Sequence, residues 1–597
     1  MGATCACGQE KVADQSAEQL AVGTRAQDAV DARVLTVEAQ TNQEGVHLLD
    51  GTGAMAGSLN TIVGHLWPRV SAYTTEKIRT DVQPLLQASL PSALQGLSFN
   101  TDKCHLGQQP LEFRRIHIDK LNQIATTGTV QNLVIEAGFE WDGDCEIYLE
   151  LEGAGFGIQG LSIKGVMVLE LVSLFDRPPF FEGVRVFLRN EPHIDVKFQG
   201  SVAGIVNLSI IRTKIVEVVT QSIRDLLVVP NRLGYTVVDE ADIFRIKSPP
   251  SQGILYFTIG EARELQAKDK SWFRRPSADY YVIVTCGAYQ FRSPTKYKTL
   301  NPDFSHTVVI PISEVVEQCL HVQLFDEDLF SADDFAARLI LPVKEVVTWG
   351  GHHKREFKLE GEQDQRCGSG SIRLSAEWRP LVQDSAKANQ RNQGLVAVGV
   401  HSAKQIPWVC KGAKFSVVVR CVGIMDGFPD EPKQTKWLAE VPEEGSESMT
   451  KSTTAVNSMK SKLALLKKYN MSEEDMANVL QVDRDRLHDD LVTLSTSGAA
   501  DLAETTHHKL QWETGFEFPL AEVGKSKLAF DLTCMPPSKS AKVLGTYECE
   551  VSELLIEPDC TSWRSVIMVG CSCELKLKLS LRHLADASTV LPGHASD

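Results

Sequence analysis

Hydrophobic positions in the first part of the chain change from a helical period to a strand-like period and back. Apolar residues recur at helical spacing over residues 59–73 and again over 208–227, before Pro230. Between these helices, period-two alternation predicts strands. One face of those strands carries Leu133, Ile135, Phe139, Val184, Val186, Leu188, Ile194, Val196 and Phe198. The order of helix, curved antiparallel sheet and helix predicts an α+β domain over residues 57–240.

Strand-like segments recur at regular spacing in two later regions, residues 250–382 and 390–590. Each region is typical of an all-β sandwich, and the first follows the breaker-rich linker 248–251. Residues 425–506 interrupt the second sandwich with charged, Ser/Thr-rich sequence that contains short helical patterns. This insertion is predicted to be either a small helical partner-binding appendage or a partly ordered segment.

Composition and charge narrow the class of protein. The chain has 597 residues with 43% hydrophobic and 23% charged side chains, which is typical of several globular domains. A formal net charge of −16 excludes a nucleic-acid binder that neutralises phosphates. Uncharged runs end well short of the roughly 18 residues of a helical membrane span. The 14 scattered cysteines favour reduced thiols in a cytoplasmic protein.

The first seven residues resemble a dual acylation signal. Gly2 would accept a myristoyl chain, and Cys5 and Cys7 would accept palmitoyl chains. Ala6 departs from the Ser or Thr that the motif prefers, so an unmodified tip is the alternative. Because one myristoyl chain binds membranes only marginally, stable anchoring would need the cysteines. Residues 1–56 are expected to form a flexible tether.

Acidic residues are concentrated in two predicted loops of the first sandwich. Calcium prefers six to eight oxygen ligands, and crowded carboxylates are costly unless a cation neutralises them. The alternative is a solvated run of charge, but that does not explain the spacing. One loop carries Asp269 and Asp279, and the other carries Asp326, Glu327, Asp328, Ser331, Asp333 and Asp334.

Aromatic and basic residues accompany the acidic loops. Trp272, Phe273, Arg274 and Arg275 follow Asp269, and Phe330 lies in the other loop. Aromatic rings suit the headgroup region of a bilayer, and arginines suit lipid phosphates. Calcium would cancel the negative potential that otherwise repels an anionic bilayer, which makes the site an electrostatic switch. The alternative is that the two aromatic residues of the first loop fold back into the core.

Several short fragments carry a family resemblance. They are Leu59-Asn60, Leu66-Trp67-Pro68, and the segments 106–110, 140–144, 191–195 and 229–233. In this order they resemble the synaptotagmin-like mitochondrial lipid-binding (SMP) domain of extended synaptotagmins and tricalbins. The resemblance implies a tubular domain that holds glycerolipid chains in an apolar groove lined by the alternating residues above, and that pairs as a homodimer. Ordinary core packing is the alternative for those residues.

Both sandwiches resemble C2 domains. In the first, segments 268–269, 278–282 and 299–304 are similar to C2 motifs, and Asp326-x-Asp328-x-x-Ser331-x-x-Asp334 is similar to the third calcium loop of the family. The resemblance assigns calcium to Asp269, Asp279, Asp326, Asp328 and Asp334, with Ser331. Its first loop is longer than usual, and Tyr280 stands where the family prefers Pro. The second sandwich has Lys414 and only Asp531 at the corresponding positions, so no calcium site is predicted there. Packing, dimerisation or protein contact are its expected roles.

The combined interpretation is a calcium-regulated lipid-binding and lipid-transfer or tethering protein at membrane contact sites. It would be peripheral to the endoplasmic reticulum or plasma membrane, with acylation in place of the family's usual N-terminal hairpin. The alternative is a membrane-associated scaffold in calcium-dependent trafficking or secretion that moves no lipid. No enzyme activity is expected, because a phospholipase regulated by C2 domains would need a nucleophile motif such as Gly-x-Ser-x-Gly, which the sequence lacks.

Overall fold

The computed structural model describes most of the chain from residue 52 onward. The described residues are 52–83, 86–87, 96–125, 128–151, 154–199, 208–265, 278–328, 333–351, 354–361, 370–383, 389, 391–406, 409, 412–439, 509–537 and 540–585. Gly2, Cys5, Cys7 and most of the predicted insertion therefore lie outside the described residues.

The first region is an eight-stranded antiparallel sheet accompanied by two long helices. Helix α1 (Thr52–Lys77) continues into a π-helical turn (Ile78–Val82), and α2 is Leu208–Leu227. The strands are β1 (Ser98–His105), β2 (Glu112–Ala125), β3 (Gly128–Gly143), β4 (Glu146–Leu151), β5 (Ala154–Leu174), β6 (Phe181–Leu188), β7 (His193–Gln199) and β8 (Leu233–Thr236). The long β5 pairs with β3, β4, β6 and β7, so it organises the whole sheet.

Several of the fragments that carried the family resemblance hold this region together. Asp144 accepts hydrogen bonds from the backbone N–H groups of Gln108 and Gln109 at 2.8 and 2.9 Å. The hydrogen bond from Gln109 contributes most to lowering the pKa of the Asp144 carboxyl below its usual value, and the bond from Gln108 adds to it. Gly107 has φ +78°, and a Cβ there would collide with Asp144. Trp67 of α1 donates to the Gly107 carbonyl at 3.2 Å, which fixes the helix over this turn.

The first sandwich follows the short helix α3 (Ile243–Lys247). Its strands are β9 (Gly253–Arg263), β10 (Tyr280–Cys286), β11 (Tyr289–Arg292), β12 (Asp303–Ile312), β13 (Cys319–Asp326), β14 (Asp334–Pro342), β15 (Arg355–Lys358) and β16 (Ser371–Val382), with α4 at Val343–Val346. One sheet has the order β11-β10-β13-β14, and the other has the order β12-β9-β16 with β15 also paired to β16. Its core is apolar, with Phe257 and Ile259 fully buried.

The second sandwich has the strands β17 (Gly394–Lys404), β18 (Lys414–Val422), β19 (Lys433–Gln434), β20 (Leu438–Ala439), β21 (Leu510–Leu520), β22 (Lys527–Met535), β23 (Lys542–Glu550), β24 (Thr561–Ile567) and β25 (Glu574–Leu584). Phe415, Phe518 and Phe530 are fully buried in its core. Residues 425–439 were assigned by the sequence to the insertion, but the structure places them on the sandwich, where they supply β19 and β20.

The two sandwiches share one sheet. At their ends β16 and β25 pair through Leu381–Leu584 and Val382–His583, which gives the continuous order β12-β9-β16-β25-β17-β21. Met425 and Phe428, from the turn after β18, join the core of the first sandwich. Because both backbone pairing and buried side chains cross this junction, the two sandwiches form one unit.

Helix α3 joins that unit to the first region. On one side, Ile246 packs against Gly183 and Gly234, where a Cβ at either glycine would meet the isoleucine. On the other side, the ring of Phe244 lies 2.7 Å from the position of a Cβ on Gly399, so only glycine fits in this part of β17. The second sandwich is therefore attached to the first region as well as to its neighbour.

Replacing Phe244 with alanine is expected to weaken this attachment. The side chain is 4% exposed, and removing a buried phenylalanine costs about 3–5 kcal/mol in lost burial and a residual cavity. We expect the melting temperature of the full chain to fall in scanning calorimetry. Phe180→Ala is the matched control, because Phe180 is 56% exposed and its removal leaves no cavity. Equal melting temperatures for the two variants would contradict the role of α3.

Candidate lipid groove and membrane-binding loops

One face of the first sheet carries apolar residues that remain partly open. Across β3, β5 and β6, the paired residues Leu133–Leu171–Val184 form one row and Ile135–Leu169–Val186 form the next. All six side chains are only half-buried. Directly paired residues of antiparallel strands point to the same face, so the rows form a continuous apolar surface.

The opposite face of the same strands is closed. Val134, Val168 and Phe187 pack with Val229 and are at most 4% exposed. In most antiparallel sheets the uncovered face is polar, because apolar surface in contact with water is unfavourable. Here the half-open face is apolar, whereas the closed face also carries the buried ion pair of Arg185 with Glu170. An apolar surface of this kind is typical of a binding groove.

Strand β2 and helix α1 extend the apolar surface. Ile118 pairs with Ile135 and is 43% exposed. Asn60 of α1 exchanges two hydrogen bonds with the backbone of Phe113, which fixes the helix beside β2. The helix carries further exposed apolar side chains, at Met55, Ile62, Leu66, Val70 and Tyr73. Ala56 and Leu59 of the helix lie in one cluster with Ile135, so apolar contacts continue from the sheet onto the helix.

The other predicted groove residues lie in closed clusters. Phe139 and Leu188 are buried with Val228, near Ile223 and Leu227 of α2. On β7, Val196 is buried in a cluster with Trp67 and Ile215, and Ile194 and Phe198 pack against it. The predicted residues on the half-open face are therefore Leu133, Ile135, Val184 and Val186. Sequence reasoning missed Leu169 and Leu171 of β5, because that strand is apolar on both faces and shows no alternation.

The first sandwich brings several predicted calcium ligands to one end. Strand β10 begins after Asp279, β13 ends at Asp326 and β14 begins at Asp334. In the register Tyr280 faces Asp326, and Asp326 faces Asp334. The backbone N–H of Asp279 donates to Oδ1 of Asp326 at 2.7 Å, which ties the first loop to the third.

Asp333, which was not among the predicted ligands, holds the base of the third loop. Its Oδ1 accepts from the N–H of Asp328 at 3.0 Å, and its Oδ2 accepts from the Tyr281 hydroxyl at 2.7 Å. Burial, followed by this hydrogen bond, raises the pKa of Tyr281. Arg292 lies 3.8 Å from the centre of the Tyr281 ring and pairs with Glu327 at 2.5 Å. These contacts fix where the loop leaves the sheet.

The described carboxylates do not by themselves form a metal site. Within the described residues, no three His, Cys, Asp or Glu side chains are grouped closely enough to hold a metal ion. Asp269 and Ser331 lie outside the described residues, as do Trp272, Phe273, Arg274, Arg275 and Phe330. The predicted ligands among the described residues are therefore Asp279, Asp326, Asp328 and Asp334.

At the corresponding positions the second sandwich has a different arrangement. Asp531 lies within β22, where its side chain is 5% exposed and is paired with Arg420. Lys414 begins β18 opposite Met535. The single aspartate is thus used in an ion pair within the sheet.

Two parts of the chain match the models of known domain families. Residues 53–238 match the model of the synaptotagmin-like mitochondrial-lipid-binding domain, and residues 253–359 match the C2 domain. The chain is extended-synaptotagmin-like. Neither matched domain is described as an enzyme, and no helix within the described residues is long and apolar enough to cross a bilayer.

The relatives share moderate identity with this extended-synaptotagmin-like chain. It is 28% identical to mouse extended synaptotagmin-3 over 338 residues, 56% of this chain and 36% of the relative. Against human extended synaptotagmin-3 the identity is 28% over 358 residues, 58% of this chain and 38% of the relative. The match thus spans less than two-fifths of the length of either relative.

A solved structure that contains the SMP domain and two C2 domains of extended synaptotagmin 2 has the same fold. It covers 89% of this chain and 99% of the solved chain, with a TM-score of 0.51 and 19% identity. The prediction of an α+β lipid-binding domain followed by two C2-type sandwiches is confirmed.

Proposed function

We propose that the protein is a calcium-regulated lipid-binding and lipid-transfer protein that tethers membranes at contact sites. The half-open apolar face formed by β3, β5 and β6 is the observation that carries this proposal. Exposed apolar area costs about 25 cal/mol per Å², so a face of this kind is stabilised when acyl chains cover it. A glycerolipid supplies such chains and leaves its polar headgroup in water.

Lipid extraction from the purified full chain tests the groove. We expect native mass spectrometry to show glycerolipid bound to the folded protein, and fluorescent lipid to move between vesicles when the protein is added. A scaffold that moves no lipid would bring vesicles together without exchange of the fluorescent lipid. A protein free of lipid that exchanges none would overturn the proposal.

The first C2 domain is proposed to dock to an anionic membrane when calcium binds. Asp279, Asp326 and Asp334 emerge at one end of the sandwich, and Asp269, Asp328 and Ser331 would complete the oxygen ligands. Calcium would neutralise this end. The aromatic and basic residues at 272–275, with Phe330, would then contact lipid headgroups and the outer acyl region.

Replacing Asp326 and Asp328 with asparagine is expected to abolish the calcium-dependent part of binding to phosphatidylserine vesicles. Each substitution removes a negatively charged oxygen ligand that calcium requires. Vesicle flotation with calcium and with a chelator measures the difference. Glu345→Gln, at an exposed position in α4, is the control and should retain it. A calcium-dependent difference equal to that of the unmodified protein would refute the metal site.

A further inference from the structure

A basic and aromatic face lies on the outer side of the second sandwich, on strands β24, β25 and β17. It contains Trp563, Ile567, Lys576 and His401, and it continues to Lys509 beside β21. In the register Trp563 faces Lys578, and Ile567 faces Glu574. Trp563, Ile567 and the neighbouring Val569 are 44, 72 and 75% exposed. This face is distant in the chain from the calcium loops, which belong to the other sandwich.

The indole of Trp563 is held in a defined position. Phe244 of α3 and the His401 ring contact it at centroid distances of 5.6 and 5.8 Å. Lys576 and Lys578 place their Nζ atoms 5.0 and 5.9 Å from the ring centre. A lysine beside an aromatic face is attracted by the ring quadrupole. The indole is thus held by these neighbours while Trp563 stays 44% exposed.

The charge of this face is positive. Lys578 pairs with Asp242, and Lys247 pairs with Glu513 at 2.5 Å, so these four residues compensate one another. Lys576 and Lys509 form no ion pair with the described residues. The pKa of His401 is lowered, first by burial and then by the charges of Lys576, Lys509 and Lys247, although Glu513 opposes the shift. This direction agrees with a positive local potential. Glu574, opposite Lys404 in the register, is the acid bordering the face near Ile567.

We propose that this face is a second membrane-docking surface, which binds anionic lipid bilayers without calcium. Tryptophan and aliphatic side chains enter the headgroup region, and each lysine near an anionic surface strengthens binding. Since Lys576 and Lys509 form no ion pair within the part of the chain that the structure describes, no cation is needed to reverse the local charge. The proposal goes beyond the regulated docking of the first C2 domain and stands independently of it.

Flotation of the full chain in a chelator tests this surface while the calcium site is silent. We expect binding to phosphatidylcholine vesicles that contain phosphatidylserine, weakened by added salt, and little binding to phosphatidylcholine alone. The variant Ile567→Ser with Lys576→Glu is expected to bind about tenfold more weakly, because it loses an apolar contact and reverses a charge. Ile556→Ser with Lys525→Glu makes the same changes at exposed positions elsewhere on this sandwich and should bind normally.

Brominated lipids provide a second readout that is specific to the indole. In the chelator they should quench part of the tryptophan fluorescence, and Trp563→Phe, which keeps an aromatic ring against Phe244, should remove that quenched part. The proposal is overturned if the first double variant floats like the unmodified protein, if neutral and anionic vesicles bind equally, or if no vesicles bind in the chelator. Undiminished quenching in Trp563→Phe would likewise overturn it.

Discussion

A variant with tryptophan at both 184 and 186 is expected to lose bound lipid and to transfer none above the background of vesicles alone. Val184 and Val186 lie on the half-open face of β6, next to Leu171 and Leu169 of β5. Two indoles there would occupy the volume proposed for acyl chains. Because the valines are only half-buried, the larger side chains can extend into the groove without displacing a closed core.

The measurements are lipid extraction from the purified variant and exchange of fluorescent lipid between vesicles. Val166→Trp is the matched control, because Val166 is 37% exposed and lies on the opposite face of β5. We expect that control to load and transfer lipid normally, with both proteins showing the same circular dichroism. Normal lipid loading by the doubly substituted protein would show that acyl chains bind elsewhere.

Replacing Glu314 with glutamine is expected to destabilise the junction between the SMP domain and the first C2 domain by about 3–5 kcal/mol. Glu314 accepts a hydrogen bond from Arg189 at 2.6 Å and a longer one from Arg232 at 3.4 Å. The Arg232 side chain is 2% exposed, so the substitution leaves a buried cation without its nearest carboxylate. The penalty arises from that uncompensated charge rather than from the loss of a surface ion pair.

The directions in which the pKa values of Arg232 and Glu314 are shifted agree with this expectation. Burial and the neighbouring Arg185 lower the pKa of Arg232 to about 10. Burial alone would raise the pKa of Glu314, but Arg189 and Arg232 outweigh it and hold the pKa below its usual value. The carboxylate of Glu314 thus compensates Arg232, whereas Arg189 also pairs with Glu136 at 2.7 Å.

Scanning calorimetry of the full chain and hydrogen exchange across residues 185–190 and 313–320 measure the effect of the glutamine. We expect a lower melting temperature and faster exchange in both segments. Glu345→Gln, at an exposed position in the same sandwich, should change neither. Unaltered exchange in Glu314→Gln would show that the ion pairs do not hold the two domains together.

The sequence predicted the order of elements because periodicity reports which residues share a face. It did not show whether each face is covered. Ile194, Val196 and Phe198 alternate as clearly as Val184 and Val186, but α1 and α2 help to close the cluster around β7. Whether an apolar face of the sheet forms a groove or a core depends on which other elements pack over it, and periodicity carries no information about that packing.

Two further features depend on contacts between distant segments. Met425 and Phe428 stand among polar and charged residues, and their place in the core of the neighbouring sandwich leaves no periodic signal. In the sequence, Trp563 cannot be told from an ordinary strand residue. Its partial exposure depends on its contacts with Phe244 of α3 and His401 of β17, which are distant in the chain. By contrast, the sequence assigned Asp326 and Asp334 to one loop, and the structure pairs them at the ends of adjacent strands, because a short loop brings its two ends together.

The sheet shared by β16 and β25 has a consequence for geometry at a membrane. Two sandwiches joined by backbone hydrogen bonds, and attached to the SMP domain through α3 and Glu314, rotate together. Once a bilayer fixes the tilt of one sandwich, the tilt of the groove is also fixed. The angle at which a lipid would leave the protein is then determined by the fold, through the β16–β25 pairing, α3 and the ion pairs of Glu314.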